Sequence, residues 1–204
     1  MKHCDRPQGA ALLTALFVLL ALTIIGMSAA QMALNGEKSA RIERDRHLAF
    51  QAAEAGLLDA ERDIEGGADP ASARAALFAG ASALGFVEGC GAGPANLGLC
   101  AFTPAAPAWQ LAELAALEDG AASATIPYGK FTGALLPVGA GALPARAPRY
   151  VIELMPLARA GEDSGHRAGN LYRITAIGFG ARDSTQVVLQ AVYRKVAPDQ
   201  ASLP

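Results

Sequence analysis

The sequence predicts an α+β fold: one very long amino-terminal helix packed on a carboxy-terminal antiparallel β-sheet. Three observations carry that expectation. No proline or helix-stopping cluster interrupts residues 10–65. Glycine and proline punctuate the middle of the chain from residue 85 to 148. The last third alternates apolar and polar residues with the period of a strand. Helix first and strands last, without interleaving, is the order of an α+β domain rather than a parallel α/β one.

The helix divides into two halves. From Ala10 to Ala30 no residue is charged, and Leu, Ala, Ile, Val and Phe dominate. About 21 residues at about 1.5 Å each span about 30 Å, the thickness of a bilayer's hydrocarbon core. The short polar leader of residues 1–9 carries Lys2 and Arg6. These basic residues should hold it in the cytoplasm while the rest crosses. Residues 10–31 are therefore expected to be the transmembrane half and residues 32–65 an amphipathic half. In the second half Ala49, Ala53, Leu57, Ala60 and Ile64 recur every three or four residues as one apolar stripe. Arg41, Arg44, Glu54, Glu61, Arg62 and Glu65 lie opposite. The cluster Arg41–Arg46, with Glu43 and Asp45, reads as a solvated helix face with pairs at helical spacing. Gly66 and Gly67 end the helix, and Pro70 follows.

Residues 66–204 are expected to form a single folded domain on the periplasmic side. Residues 70–84 read as a short Ala-rich helix opening at Pro70. Residues 85–107 read as loop. Residues 108–119 read as another short helix carrying Trp109, with Gly120 at its end. Strands follow at Arg149–Met155, Leu171–Phe179 and Thr185–Arg194. Tyr150, Ile152 and Leu154 share one side of the first; Val187, Leu189, Ala191 and Tyr193 share one face of the third. Gly180–Ser184 is a hairpin connection, and Ala158–Gly169 is a long polar loop.

Net charge is −2, and removing the leader leaves 15 basic and 18 acidic residues. No basic patch suggests a nucleic-acid partner. Cys4 lies in the leader. Cys90 and Cys100 remain as an even pair on the oxidising side, where they either bridge or stay as two buried thiols. A bridge closing about ten residues would contribute roughly 2–3 kcal/mol. Two cysteines are too few for a zinc site. His166 beside Glu162, Asp163 and Ser164 reads as a loop rather than a metal centre, and His47 as a helix-surface residue. Gly89, Gly91 and Gly93 follow no strand and open no helix, so no dinucleotide site is expected. No nucleophile elbow or phosphate loop is present. No cofactor, metal or catalytic residue is expected, and the chain does not read as an enzyme.

A leader ending at Gly9, directly before the apolar run, resembles the class III signal of type IV prepilins and pseudopilins. The segment Asp45-Arg46-His47-Leu48-Ala49-Phe50-Gln51-Ala52-Ala53-Glu54-Ala55 resembles the helix signature of PilX-type minor pilins. Tyr172–Gly178 and Val188–Tyr193 are similar to that family's final strands. The resemblance implies a pilin-like architecture and cleavage by prepilin peptidase between Gly9 and Ala10. It also implies N-methylation of Ala10. Most relatives carry a glutamate as the fifth mature residue; here it is Thr14. A lone carboxylate in lipid is costly and rewards a docking partner. Thr14 has no such need, which favours a minor or tip position. The implied partners are other minor pilins, the major pilin and a pilus-tip adhesin. The implied location is the inner membrane, single-pass, and then the pilus. Two other readings stay open: a minor pseudopilin of type II secretion, and a signal-anchored periplasmic enzyme.

Overall fold

The computed structural model describes residues 10–79, 83–111, 113–115, 124–156 and 170–195. Helix α1 runs Ala10–Ile64, unbroken by the isolated glycines at 26, 36 and 56. Two compact units share it: residues up to Arg44, and Asp45 onward. The folded unit thus begins partway along the helix.

In the first unit the helix is long and apolar enough to cross a bilayer. Its most apolar 18-residue window has a mean hydropathy of 2.4, and none of it is buried. Thr14, Thr23 and Ser28 each donate a hydroxyl proton to a carbonyl three or four residues back. Such internal pairing is what an apolar medium demands of a polar side chain.

In the second unit α1 lies on a sheet. Strands β1 (Leu99–Ala101), β2 (Ile126–Pro127), β3 (Arg149–Met155), β4 (Leu171–Phe179) and β5 (Gln186–Arg194) have the order β1-β3-β4-β5, with β2 also on β3. The three predicted strands form the antiparallel meander, with Ile174 opposite Ile152 and Ala191. The sheet is nevertheless mixed. β1 pairs parallel to the far half of β3, Leu99 opposite Ile152, and β2 pairs antiparallel to its start. Both are too short to show a period in a sequence dense in glycine.

One face of the sheet packs on α1. Tyr150, Ile152, Tyr172, Ile174 and Ala176 meet Ala60 and Ile64, joined by Phe78 and Phe86. The rings of Phe78 and Phe86 lie 5.7 and 5.9 Å from that of Tyr172. On the other face Val151, Ile177 and Phe179 are covered by Cys90, Cys100, Ala108 and Leu114. Strand β3 is therefore buried on both sides, whereas β5 alternates half-buried and exposed residues.

Helix α2 spans Ala73–Ala79, not 70–84. Ser72 sets its start: its Oγ accepts from Ala75 N at 3.1 Å, an N-cap bond, while Asp69 turns the chain through Ala71 N. Helix α3 is Ala108–Leu111, shorter than the expected 108–119, and Gly120 lies outside the described residues. So does the loop 158–169 with Glu162, Asp163, Ser164 and His166.

Gly178 fixes how near α1 comes to β4. A Cβ there would overlap the backbone Ala49 O and Ala53 N. Backbone cannot yield as a flexible side chain does. Gly178→Val should therefore cost about 3 kcal/mol or more. An unchanged urea midpoint in the purified variant would contradict this close approach.

Candidate functional site: the anchored helix and the clamps that seat it

Among the described residues no cluster of His, Cys, Asp or Glu could hold a metal ion. The sites that sequence reasoning singles out lie along α1 and in the disulfide loop.

Gly9 lies outside the described residues, and Ala10 opens α1. Thr14 is exposed, its hydroxyl bonded to Ala11 O at 3.0 Å. It lies in a shallow apolar furrow with Ala11, Ala15, Val18, Leu19 and Leu22. Thr14 is thus satisfied within its own helix.

Cys90 and Cys100 form a disulfide. Cys100 is in β1 and Cys90 faces the outer core, so the bridge ties the 90–100 loop to the sheet beside Phe179. Near it, Arg146 stacks over the Phe179 ring at 3.7 Å, donates to Ala115 O and pairs with Asp183.

Sequence reasoning missed the buried polar clamps. The sequence reads Asp45 as part of a solvated helix face. It is buried instead, and it holds the β4–β5 hairpin. Its Oδ1 accepts from Ala181 N at 2.6 Å and Arg182 N at 3.3 Å. Its Oδ2 accepts from Thr185 Oγ1 at 2.6 Å and Arg182 Nε at 3.0 Å. Burial opposes its charge, but the hydrogen bonds from Thr185, Arg182 and Ala181 outweigh that and hold its pKa below the usual carboxylate value.

Asp63 is fully buried near the far end of α1. Arg74 of α2 meets it through two nitrogens at 3.1 and 2.6 Å, and Tyr150 OH donates at 3.4 Å. Arg74 also donates to Ala95 O and Leu97 O and lies over the Phe131 ring at 4.2 Å. Burial raises the Asp63 pKa despite Arg74, and it raises that of Tyr150 as well. Asp59 accepts from Gly129 N at 2.8 Å and from Thr132 Oγ1. Lys195 Nζ donates to Ile64 O at 2.6 Å, capping the helix end. Tyr193 OH donates to Glu65 at 2.7 Å, which is chiefly why its pKa rises to about 12.

A signal for the clamps was present. Asp45, Ala52, Gly56, Asp59 and Asp63 follow one another at spacings of seven, four, three and four, so the aspartates share the sheet-facing side of α1.

A helix long and apolar enough to cross a membrane runs on into a folded α+β unit, which makes its first part a candidate membrane anchor. The comparisons place it further. The family described as type IV pilus assembly protein PilX, C-terminal, matches residues 95–195, and the PilX N-terminal family matches residues 8–58. The chain belongs to the PilX family of type IV pilus assembly proteins. No curated protein and no solved structure matches it.

Asp45→Asn should lower stability at neutral pH by about 1–3 kcal/mol, the worth of hydrogen bonds to a charged group. The wild-type contribution is fully present above the unfolded carboxylate value. It is lost as pH falls through the lower folded value. The stability gap between wild type and variant should therefore close below about pH 4. A gap that stays constant across that range, measured by urea unfolding, would place the effect elsewhere than in the charge. The Cys90–Cys100 bridge should leave no labelled thiol at these two positions in denatured, unreduced protein from an oxidising compartment; labelling of both would rule the bridge out.

Proposed function

We propose that this chain is a minor pilin that helps prime assembly of a type IV pilus or caps its tip. It would do so within a complex of other minor pilins. The observation that carries the reading is α1 itself. Its apolar first part is wholly exposed and internally satisfied, and it continues as one helix into a PilX-family unit. Such a helix is suited to leave lipid by packing against neighbouring helices. On this reading prepilin peptidase cuts between Gly9 and Ala10 and methylates Ala10. The protein waits in the inner membrane with residues 66–204 in the periplasm. Its partners are the other minor pilins, the major pilin and, by family analogy, a tip adhesin. No bond-making chemistry is required of it.

Thr14 supports the minor or tip role. A subunit with its hydroxyl bonded to Ala11 O offers no carboxylate to an incoming amine. The family description, which specifies type IV pilus assembly, favours that machine over type II secretion.

Counting surface pili tests the proposal. Deletion of the gene should sharply reduce pilus number, because initiation fails. Leu19→Arg should mimic deletion, since a central membrane charge costs roughly 2.5–3.5 kcal/mol. Thr14→Ala should leave piliation near wild type, because only a local hydrogen bond is lost. Normal piliation in the deletion strain would refute the priming role. Gly9→Val should block processing by stiffening the scissile stretch, and precursor should accumulate. Equal amounts of mature protein from wild type and Gly9→Val would defeat the cleavage assignment.

A further inference from the structure

The sheet has two edges, and the described chain closes only one of them. Outside β1, Val87 N donates to Leu99 O at 3.4 Å, Ala101 N to Val87 O at 2.8 Å and Gly91 N to Leu99 O at 3.0 Å. Strand β5 ends the order β1-β3-β4-β5, and no strand among the described residues lies beyond it. Gly180 N donates to Thr185 O and Lys195 N to Asn170 O, so the odd-numbered residues of β5 bond to β4. Antiparallel pairing alternates along a strand. Gln186, Val188, Gln190, Val192 and Arg194 therefore turn their N–H and C=O groups outward, about 7 Å from one to the next.

Long open edges are ordinarily guarded by lysine, proline or a bulge. Gln186–Tyr193 carries no charge and no proline. Its register with β4 runs unbroken from Arg194 opposite Leu171 to Gln186 opposite Phe179, so no bulge turns it aside. Tyr193 bonds Glu65 at the end of α1, so the odd-numbered side chains face the helix. Val188 and Val192 face away from it, 47% and 66% exposed. On the helix side Phe50 is 41% exposed. Phe50, Leu57 and Glu61 follow one another at spacings of seven and four, and Glu61 acts on the Tyr193 hydroxyl, so this flank of α1 lies on the β5 side.

A row of backbone donors and acceptors flanked by apolar side chains is matched by another extended chain. We infer that the outer edge of β5 takes up an extended segment of another protein as an added strand. That segment lacks proline. It turns apolar side chains toward Val188 and Val192 on one face and toward Phe50 on the other. The nine residues after Lys195 include Pro198 and Pro204 and suit the role poorly. A second copy suits it poorly too. β5 runs beside α1 in the same direction: Asp45 holds Thr185 before its start, and Ile64 O holds Lys195 after its end. Two β5 edges paired antiparallel would set the two helices in opposite directions, which copies anchored in one membrane by the start of α1 cannot do. That choice between occupants rests on the anchored reading proposed above; the open edge does not.

The probe is a fluorescent peptide of alternating threonine and valine with a lysine at each end, added to detergent-extracted full-length protein. It should bind, and the same peptide methylated on every backbone nitrogen should not. Val192→Pro removes one outward donor without touching a bond to β4, and it should weaken binding about fivefold, the scale of one hydrogen bond. Val192→Ala keeps that donor and should weaken binding less. An intact Cys90–Cys100 bridge reports the fold of each variant, and the methylated peptide needs no variant. Failure of the plain peptide to bind, or equal binding of the methylated one, would overturn the docking edge. Gln190→Cys, in a chain that also carries Cys4→Ser, sits in the middle of the edge. Its oxidation in intact cells mainly to a dimer of this chain would overturn the choice of another protein. None of these readings uses pilus number, so they stand or fall separately from the priming role.

Discussion

The closeness of α1 to β4 is the constraint on which the folded unit depends. At Gly178 the helix backbone at Ala49 and Ala53 occupies the space a side chain would need. The facing stripe is accordingly built of alanine, with Ala49, Ala52, Ala53 and Ala60 buried. Small residues on both surfaces place two backbones in near contact. Larger apolar side chains then fill only the far end, where Ile64, Phe78, Phe86 and Tyr172 form the ring cluster. A chain with only 6% aromatic residues concentrates several of them where the helix and sheet separate.

Small residues bring surfaces together but specify register weakly, because alanine against alanine gains little from one position over another. The aspartates supply what the stripe lacks. Asp45 fixes one end of the helix to the β4–β5 hairpin through four donors. Asp63 fixes the other through Arg74 and Tyr150. Asp59, between them, reaches across to the β2–β3 loop. Each is buried, so a slip of one turn would leave a desolvated carboxylate without donors, at several kcal/mol. The opposite pKa directions of Asp45 and Asp63 follow from how fully donors offset burial. Asp45 is met by backbone and side-chain donors that outweigh it, whereas Asp63 lies deeper and burial prevails.

The same contrast explains what the sequence made legible. Strands β3 and β4 are readable to the residue because five and six apolar residues, with β-branched members, stand between clear breaks. The apolar stripe of α1 is readable from its period. The spacing of the aspartates puts them on the sheet-facing side of α1, but their partners are not readable: a charged residue within a helix is usually solvated, and the donors to Asp45 lie more than a hundred residues away at Ala181 and Thr185. β1 escapes for another reason. Its three residues pair parallel to β3 within a loop that the Cys90–Cys100 bridge and the Val87–Cys100 pairing also tie, contacts that no local pattern announces. Among the site residues, the bridged cysteines were legible by parity.

Polar groups therefore divide by surroundings along a single helix. Before Arg44, hydroxyls bond back to their own helix and the apolar side chains remain uncovered. From Asp45 onward, carboxylates bond outward to the sheet and loops, and alanines are covered. The change occurs where Lys38, Arg41 and Arg44 stand exposed with Glu37 and Glu43. Exposed charge there suits neither a lipid core nor a packed interface, so it separates the two regimes. On the proposed reading the first regime is free to exchange lipid for neighbouring helices while the second keeps its register. An anchor carrying donors to the sheet would couple the two. Because Thr14, Thr23 and Ser28 close on themselves, the apolar part can change partners without disturbing the fold that Asp45 secures.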